Sequence, residues 1–119
     1  MRVLIVDDEK MILTVMQRLL RDCCEVDCAG GAIEAMEKTS GKEYDFVLLD
    51  FMMPKYDGLW LMRNWKLPSR TKIILVTGYQ NKELMRQMFE LGVSSYLVKP
   101  VTREVVLQQF ERLSKPCAA

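Results

Sequence analysis

The sequence predicts an α/β protein: an open, doubly wound parallel sheet of five strands, built from five consecutive βα units. Three observations carry that expectation. Short apolar runs alternate five times with stretches of helical periodicity. Three of those runs, within 3–6, 46–49 and 73–76, are apolar without alternation, as strands covered by helices on both faces require. The 119 residues are enough for one domain of ordinary size and too few for two. With half the residues apolar, 28% charged, and only 6 Gly and 4 Pro, the chain is neither disordered nor low in complexity.

The first strand is 2–6, ended by Asp7-Asp8. Ile12, Val15, Met16, Leu19 and Leu20 then recur at helical spacing and predict a helix over 9–21, started by a carboxylate near its N-terminus. A strand over 25–29 precedes a helix over 32–38, and a strand over 46–49 precedes a helix over 59–65, with Asp57-Gly58 as the turn before it. The fourth unit is a strand over 72–76 with a helix over 84–91. The fifth is a strand over 95–98 with a helix over 103–113, stopped by Pro116.

Seventeen basic and sixteen acidic side chains leave a formal charge of +1, without the positive bias of a nucleic-acid binder. The charge is uneven: residues 1–59 carry 7 basic and 12 acidic side chains, residues 60–119 carry 10 and 4, and Asp7, Asp8 and Glu9 are clustered. There is no histidine, which removes His nucleophile pairs, proton shuttles and His-metal sites together. Cys23, Cys24, Cys28 and Cys117 match no paired zinc spacing and read as small apolar fillers. No charged-then-apolar leader and no run of about 18 apolar residues occurs, so the expectation is a soluble protein of a reducing cytoplasm.

In doubly wound sheets, ligands sit beyond the carboxyl ends of the strands, near the point where strand order reverses. Here those ends carry Asp7-Asp8, Asp50, Thr77 and Lys99-Pro100, while the second strand ends in the unreactive Ala29-Gly30-Gly31. Three carboxylates in one cleft repel one another unless a cation neutralises them. The donor set suits Mg²⁺, a hard ion that favours a few carboxylates, waters and a phosphate oxygen. Lys99 and Thr77 then stand as donors to an anionic ligand.

Val3-Leu4-Ile5-Val6-Asp7-Asp8-Glu9, Asp50-Phe51-Met52-Met53-Pro54 with Asp57-Gly58, Thr77-Gly78, and Tyr96-Leu97-Val98-Lys99-Pro100 occur in that order at the strand ends. Across essentially the whole chain this resembles the receiver domain of two-component response regulators, a (βα)5 flavodoxin-like fold. The resemblance implies one receiver domain over residues 1–119, with no output domain in this chain. It implies that Asp50 is the phosphoacceptor, attacking the phosphorus of a phosphohistidine on a sensor histidine kinase or phosphotransfer protein. Asp8, Asp50 and the Met52 backbone carbonyl would hold Mg²⁺, with Asp7 acting through a bound water. Lys99 would pair with Asp50 before reaction and with the phosphate after it. Thr77 would supply a hydroxyl, Gly78 room beside the phosphoryl group, and Lys99-Pro100 the family's cis peptide. Thr77 and Tyr96 fill the positions of the family's switch, which remodels the face of the fourth helix, fifth strand and fifth helix.

That face is where the resemblance places partners: a downstream protein, a fused output domain or a second copy. Ser94-Ser95 and Val101 depart from the pattern of many DNA-binding members, which puts their ion-paired dimer in doubt. Tyr79, flanking the site, is expected to shield an acyl phosphate and slow self-dephosphorylation. The chain is thus expected to be a signalling phosphoacceptor and not an enzyme with turnover. Starting at Met1, one residue before the first strand, it is expected at the N-terminal position of any longer regulator.

Each residue taken singly has a plainer reading. Asp7 or Asp8 alone reads as a helix cap, Thr77 as a strand-end turn residue, Lys99 as a surface lysine, and Tyr96 as edge-strand packing. Asp50 closing a buried apolar strand is costly without a partner, and the joint placement favours the site. Leu84, Met85, Met88, Phe89 and Leu91 give the fourth helix more apolar surface than one core stripe needs. A Mg²⁺-dependent aspartyl-phosphate hydrolase fits poorly, because Met52 stands where an Asp-x-Asp pair needs its second acid. The main alternative is a phosphorylation-independent interaction module on the same fold. Nucleotide binding has no motif: neither GxGxxG nor GxxxxGK[ST] occurs.

Overall fold

The computed structural model describes residues 1–78 and 81–114. Ten elements alternate along it: β1 (Arg2–Val6), α1 (Lys10–Leu20), β2 (Glu25–Ala29), α2 (Ala32–Gly41), β3 (Phe46–Leu49), α3 (Gly58–Asn64), β4 (Lys72–Thr77), α4 (Lys82–Glu90), β5 (Ser95–Val98) and α5 (Arg103–Ser114). The strands form one parallel sheet in the order β2-β1-β3-β4-β5. The chain therefore leaves β1 toward one edge, returns to β3, and proceeds to the other edge. The reversal falls between β1 and β3, where Val6 pairs with Leu49, and opens a crevice beyond their carboxyl ends. The fold is the doubly wound one the sequence predicts.

Val3–Val6 and Phe46–Leu49 are buried throughout, so these strands face helices on both sides. Leu4, Val6, Val47, Leu49, Ile73 and Leu75 point to the side of α2, α3 and α4, where Ala35, Leu61 and Met88 pack on them. Val3, Ile5, Phe46, Leu48, Ile74 and Val76 point to the side of α1 and α5, where they meet Met16, Leu20, Val106 and Phe110. Phe46 and Phe110 stack with centroids 4.3 Å apart. In β5, an edge strand, burial alternates: Ser95 and Leu97 are buried, Tyr96 and Val98 exposed.

Several helix ends differ from the sequence-based expectations, each for a local reason. α1 starts at Lys10 with no capping side chain from Glu9; instead Asp7 Oδ1 accepts the Glu9 N–H at 3.0 Å. α2 runs three residues past 38, with the Thr39 hydroxyl donating to the Ala35 carbonyl and the Ser40 hydroxyl to that of Glu37. α3 begins one residue early because Asp57 is more than a turn residue: its Oδ1 accepts the Trp60 N–H at 2.9 Å and caps the helix. α4 begins at Lys82, capped by Asn81 through the Leu84 N–H at 3.0 Å. Thr77 belongs to β4, and α5 extends to Ser114, whose hydroxyl donates to the Phe110 carbonyl. Cys24 and Cys28 pack partly against the α1/α5 core, but Cys23 is exposed in the turn after α1 and fills nothing. Pro116 and Cys117 lie outside the described residues.

Gly58 is pressed against the end of β3. A Cβ there would sit 3.1 Å from Phe51 Cα and 3.4 Å from the Asp50 carbonyl oxygen, and its N–H already donates to the Phe51 carbonyl at 2.9 Å. Gly58→Ala is therefore expected to destabilise the fold by about 1–3 kcal/mol, since backbone must move. Gly41→Ala, whose Cβ meets nothing within 4 Å in the last turn of α2, is expected to stabilise by about 0.5–1 kcal/mol. Urea unfolding of both variants checks the pair; equal effects would remove the close approach as the cause.

Candidate functional site

Sheet hydrogen bonding continues one residue past the strands and anchors three side chains at the crevice. The Asp7 N–H donates to the Ala29 carbonyl at 3.1 Å, the Asp50 N–H to that of Val6 at 2.9 Å, and the Lys99 N–H to that of Thr77 at 3.1 Å. The backbones of Asp7, Asp50 and Lys99 are thus tied to β2, β1 and β4. Asp7 (3% exposed), Asp50 (5%) and Thr77 (2%) are buried, while Asp8 is exposed at the mouth. One carboxylate oxygen from each of Asp7, Asp8 and Asp50 lies within 4.8 Å of the others.

Lys99 crosses from the far side of the crevice. Its Nζ donates to Asp7 Oδ2 at 3.0 Å and lies 3.4 Å from Asp50 Oδ1. The nearer partner is Asp7, whereas the sequence reading paired Lys99 with Asp50 alone; strand spacing places the lysine at the site but does not say which carboxylate its flexible stem reaches. Asp7 spends its other oxygen on the Glu9 N–H. Burial pushes the Asp50 carboxyl up to about 6, and the Asp7 charge adds to that push; Lys99 opposes it, and Asp8 raises it slightly further. Burial pulls the Lys99 ammonium down, but its hydrogen bond to Asp7 and the charges of Asp50 and Asp7 outweigh burial and leave it above the ordinary lysine value.

Three carboxylates against one ammonium leave an excess of negative charge equal to that of a divalent cation. The donors are all oxygen, two of them are held by backbone anchors, and one faces the opening. Those features fit Mg²⁺. Among the described residues this is the one group of three or more acids or thiols close enough to share an ion.

The remaining predicted positions surround this centre unequally. Met52, with its side chain exposed, lies two residues past Asp50 in the loop before α3. Gly78 follows Thr77 and is exposed, and a Cβ there would meet nothing within 4 Å. The Lys99–Pro100 peptide is cis. Tyr79 lies outside the described residues. Tyr96 is not brought to the centre: the residue is 47% exposed and its ring meets the Phe89 ring edge-on at 6.3 Å. Two residues carry more of the site's support than the sequence reading assigned them: Asp57, which caps α3, and Gly58, which lets α3 approach the Asp50 carbonyl. An acid-glycine pair just before an apolar helical run was the available signal.

Comparison with known proteins identifies the family. The model of the response regulator receiver domain family matches residues 3–111. The transcriptional regulatory protein ResD of Bacillus subtilis (strain 168) is 38% identical over 109 residues, which cover 90% of this chain and 45% of ResD. The transcriptional regulatory protein SrrA of Staphylococcus aureus (strain NCTC 8325 / PS 47) is 35% identical over 108 residues, covering 89% of this chain and 45% of SrrA. The chain thus spans a little under half the length of these two relatives. Among solved structures, the chemotaxis protein CheY4 of Vibrio cholerae superposes with a TM-score of 0.87 at 28% identity over 94% of this chain and 97% of that one. A CheY-like receiver domain protein from Methanospirillum hungatei JF-1 gives 0.87 at 32% identity, over 94% and 92%. With the family's model spanning nearly its whole length and an acidic crevice at the β1–β3 switch point, the chain belongs to the response regulator receiver domain family.

Proposed function

We propose that Asp50 accepts a phosphoryl group from a phosphohistidine of a sensor histidine kinase or phosphotransfer protein. The observation that carries this reading is a buried carboxylate at the sheet's switch point, hemmed by two further carboxylates and one ammonium. An Asp50 oxygen attacks the phosphorus, the phosphorus–nitrogen bond breaks, and the imidazole leaves with its electron pair. The product is an acyl phosphate on Asp50. Asp8, Asp50 and the Met52 carbonyl would hold Mg²⁺, with Asp7 acting through a water, and a cation there would supply charge to offset that of the incoming phosphoryl group.

Lys99 holds Asp7 and Asp50 in the resting state and turns to a phosphate oxygen in the product, as a point charge on a flexible stem can. Thr77 offers its hydroxyl to another oxygen, and the open space at Gly78 leaves room for the group. Tyr96, outward in this structure, turns inward as Thr77 moves, and the face of α4, β5 and α5 changes with it. Exposed Phe89, Leu91, Tyr96, Val98 and Val105 give that face an apolar character suited to a partner protein, a fused output domain or a second copy. The relatives, both transcriptional regulatory proteins more than twice as long as the match, support an output segment of their kind. The protein acts in the cytoplasm as a signalling phosphoacceptor, with hydrolysis of its own acyl phosphate slow. No helix among the described residues is long and apolar enough to cross a membrane.

Intact mass after incubation with Mg²⁺ and acetyl phosphate tests the assignment. The expected result is a Mg²⁺-dependent gain of one phosphoryl group that Asp50→Asn abolishes. No gain by the folded, unsubstituted chain would instead favour a phosphorylation-independent interaction module.

The charge of the site also predicts a stability profile. The Asp50 carboxyl is raised from 3.8 to about 6, so between those values the folded state holds more protons than the unfolded one, and stability falls as pH rises through the window. Removing that ionisation by Asp50→Asn is expected to stabilise the Mg²⁺-free protein at pH 7 by about 1–3 kcal/mol, with the gain vanishing toward pH 4. Lys99 keeps Asp7 in the variant. Mg²⁺ is expected to raise the melting temperature of the unsubstituted protein and to have much less effect on the variant. Urea and thermal unfolding at both pH values, with EDTA or Mg²⁺, check this; an Asn variant that is less stable at pH 7 would contradict it.

A further inference from the structure

The two helices on the Ile5 side of the sheet, α1 and α5, leave a cavity near its carboxyl end. α5 is anchored low, where Phe110 stacks on Phe46 at the first residue of β3. α1 packs on the same core through Ile12, Met16 and Leu20, while Met11 is 75% and Val15 47% exposed. Between α1 and the loop before α5 lies a cavity of about 390 Å³. Its floor is Ile5, Leu48 and Val76; its walls are Ile12, Val15 and Met16 on one side and Pro100 and Val101 on the other. The side chain at 101 is a short branched one, partly buried against the α1/α5 core.

The volume falls in the range of about 300–1,000 Å³ typical of small-molecule sites, and is well above the ~150 Å³ apolar cavity that suffices for benzene. Apolar lining of this kind gives water almost nothing to bond to, so the space favours an apolar occupant. Only one end is polar, formed by Asp7, Asp50 and Lys99. There the ammonium is already shared between both carboxylates at 3.0 and 3.4 Å, and Asp8 adds a third acid at the mouth. That end repels an anion and attracts a cation.

We propose that this cavity binds a small amphipathic amine, its apolar body of two-ring size between α1 and Val101 and its ammonium against Asp7 and Asp50. The amine draws on the same carboxylates as Mg²⁺, so the two bind in mutual opposition, each weakening the other by the same factor. Such a ligand would act as an antagonist of phosphorylation. Its binding does not depend on the phosphoacceptor reading, because occupancy is read directly and the mass assay on Asp50 is separate; either can fail alone.

The test titrates the Mg²⁺-free chain with 1-naphthylmethylamine, 1-naphthalenemethanol and 1-naphthylacetate, three ligands alike in body and different in charge, following amide shifts by NMR and heat by calorimetry. The amine is expected to saturate one site per chain, to shift the amides of Ile12, Val15 and Val101, and to bind roughly tenfold or more tighter than the acetate. Saturating Mg²⁺ is expected to weaken the amine several-fold, and Val101→Phe, which fills the cavity, to weaken it by roughly tenfold or more. The Mg²⁺ competition and shift mapping on the unsubstituted chain decide the matter if that variant fails to fold. No saturable binding of the amine, an acetate that binds as tightly as the amine, indifference to Mg²⁺, or undiminished binding by folded Val101→Phe would each overturn the proposal.

Discussion

Everything at the functional end of this domain follows from like charges that cannot separate. Asp7 and Asp50 are fixed by backbone hydrogen bonds to the neighbouring strands, so their carboxylates stay near Asp8 although repulsion at such distances is on the order of a few kcal/mol per pair. One internal cation, Lys99, is divided between two of them and cannot balance all three. The stability needed to hold this arrangement comes from elsewhere in the sheet, where β1 and β3 are buried on both faces. The site is therefore an electrostatic deficit maintained by a strong scaffold, which is what makes it receptive to a cation or a charged group.

The two sides of the scaffold support this deficit differently. On the α2–α4 side packing runs right up to the carboxylates: Phe51 and Met53 are core residues, Asp57 caps α3, and Gly58 touches the end of β3. On the α1/α5 side a cavity bounded by Ile12, Val15, Met16 and Val101 lies beside Asp7 and Asp50. Asp50 consequently has a rigid wall on one flank and an unfilled one on the other. Constraint on the first side fixes where the carboxylate stands; the second side leaves the cavity unfilled.

Much of this was legible in the sequence because it depends on pattern. Unbroken apolar runs marked β1, β3 and β4, and the residues ending those strands located Asp7, Asp50 and Thr77 without knowledge of any contact. What escaped depends on geometry that pattern does not carry. Lys82 and Glu83 add no apolar periodicity, so the start of α4 waited on the Asn81 cap. The end of α2 was set by hydroxyls of Thr39 and Ser40 bonding back into the helix, where propensity alone suggests a stop. The preference of Lys99 for Asp7 is a matter of side-chain reach, and the cavity a matter of how side chains of α1 and the loop before α5 pack.

The register explains how the site can be coupled to a distant face in the proposed reading. Thr77 stands opposite Val98 and Tyr96 opposite Leu75. Since Leu75 and Thr77 share one face of β4, the hydroxyl and the aromatic ring lie on the same side of the sheet, on adjacent strands and one side-chain step apart. That side is the one covered by α4, whose Phe89 meets the Tyr96 ring. Lys99 is tied to the same pair of strands through the Thr77 carbonyl. A phosphoryl group that draws on Thr77 and Lys99 thus pulls at two points of the β4–β5 seam, and the first exposed aromatic beyond that seam is Tyr96. Coupling of this kind needs no long pathway: a change of charge at Asp50 acts on groups that already border the apolar face.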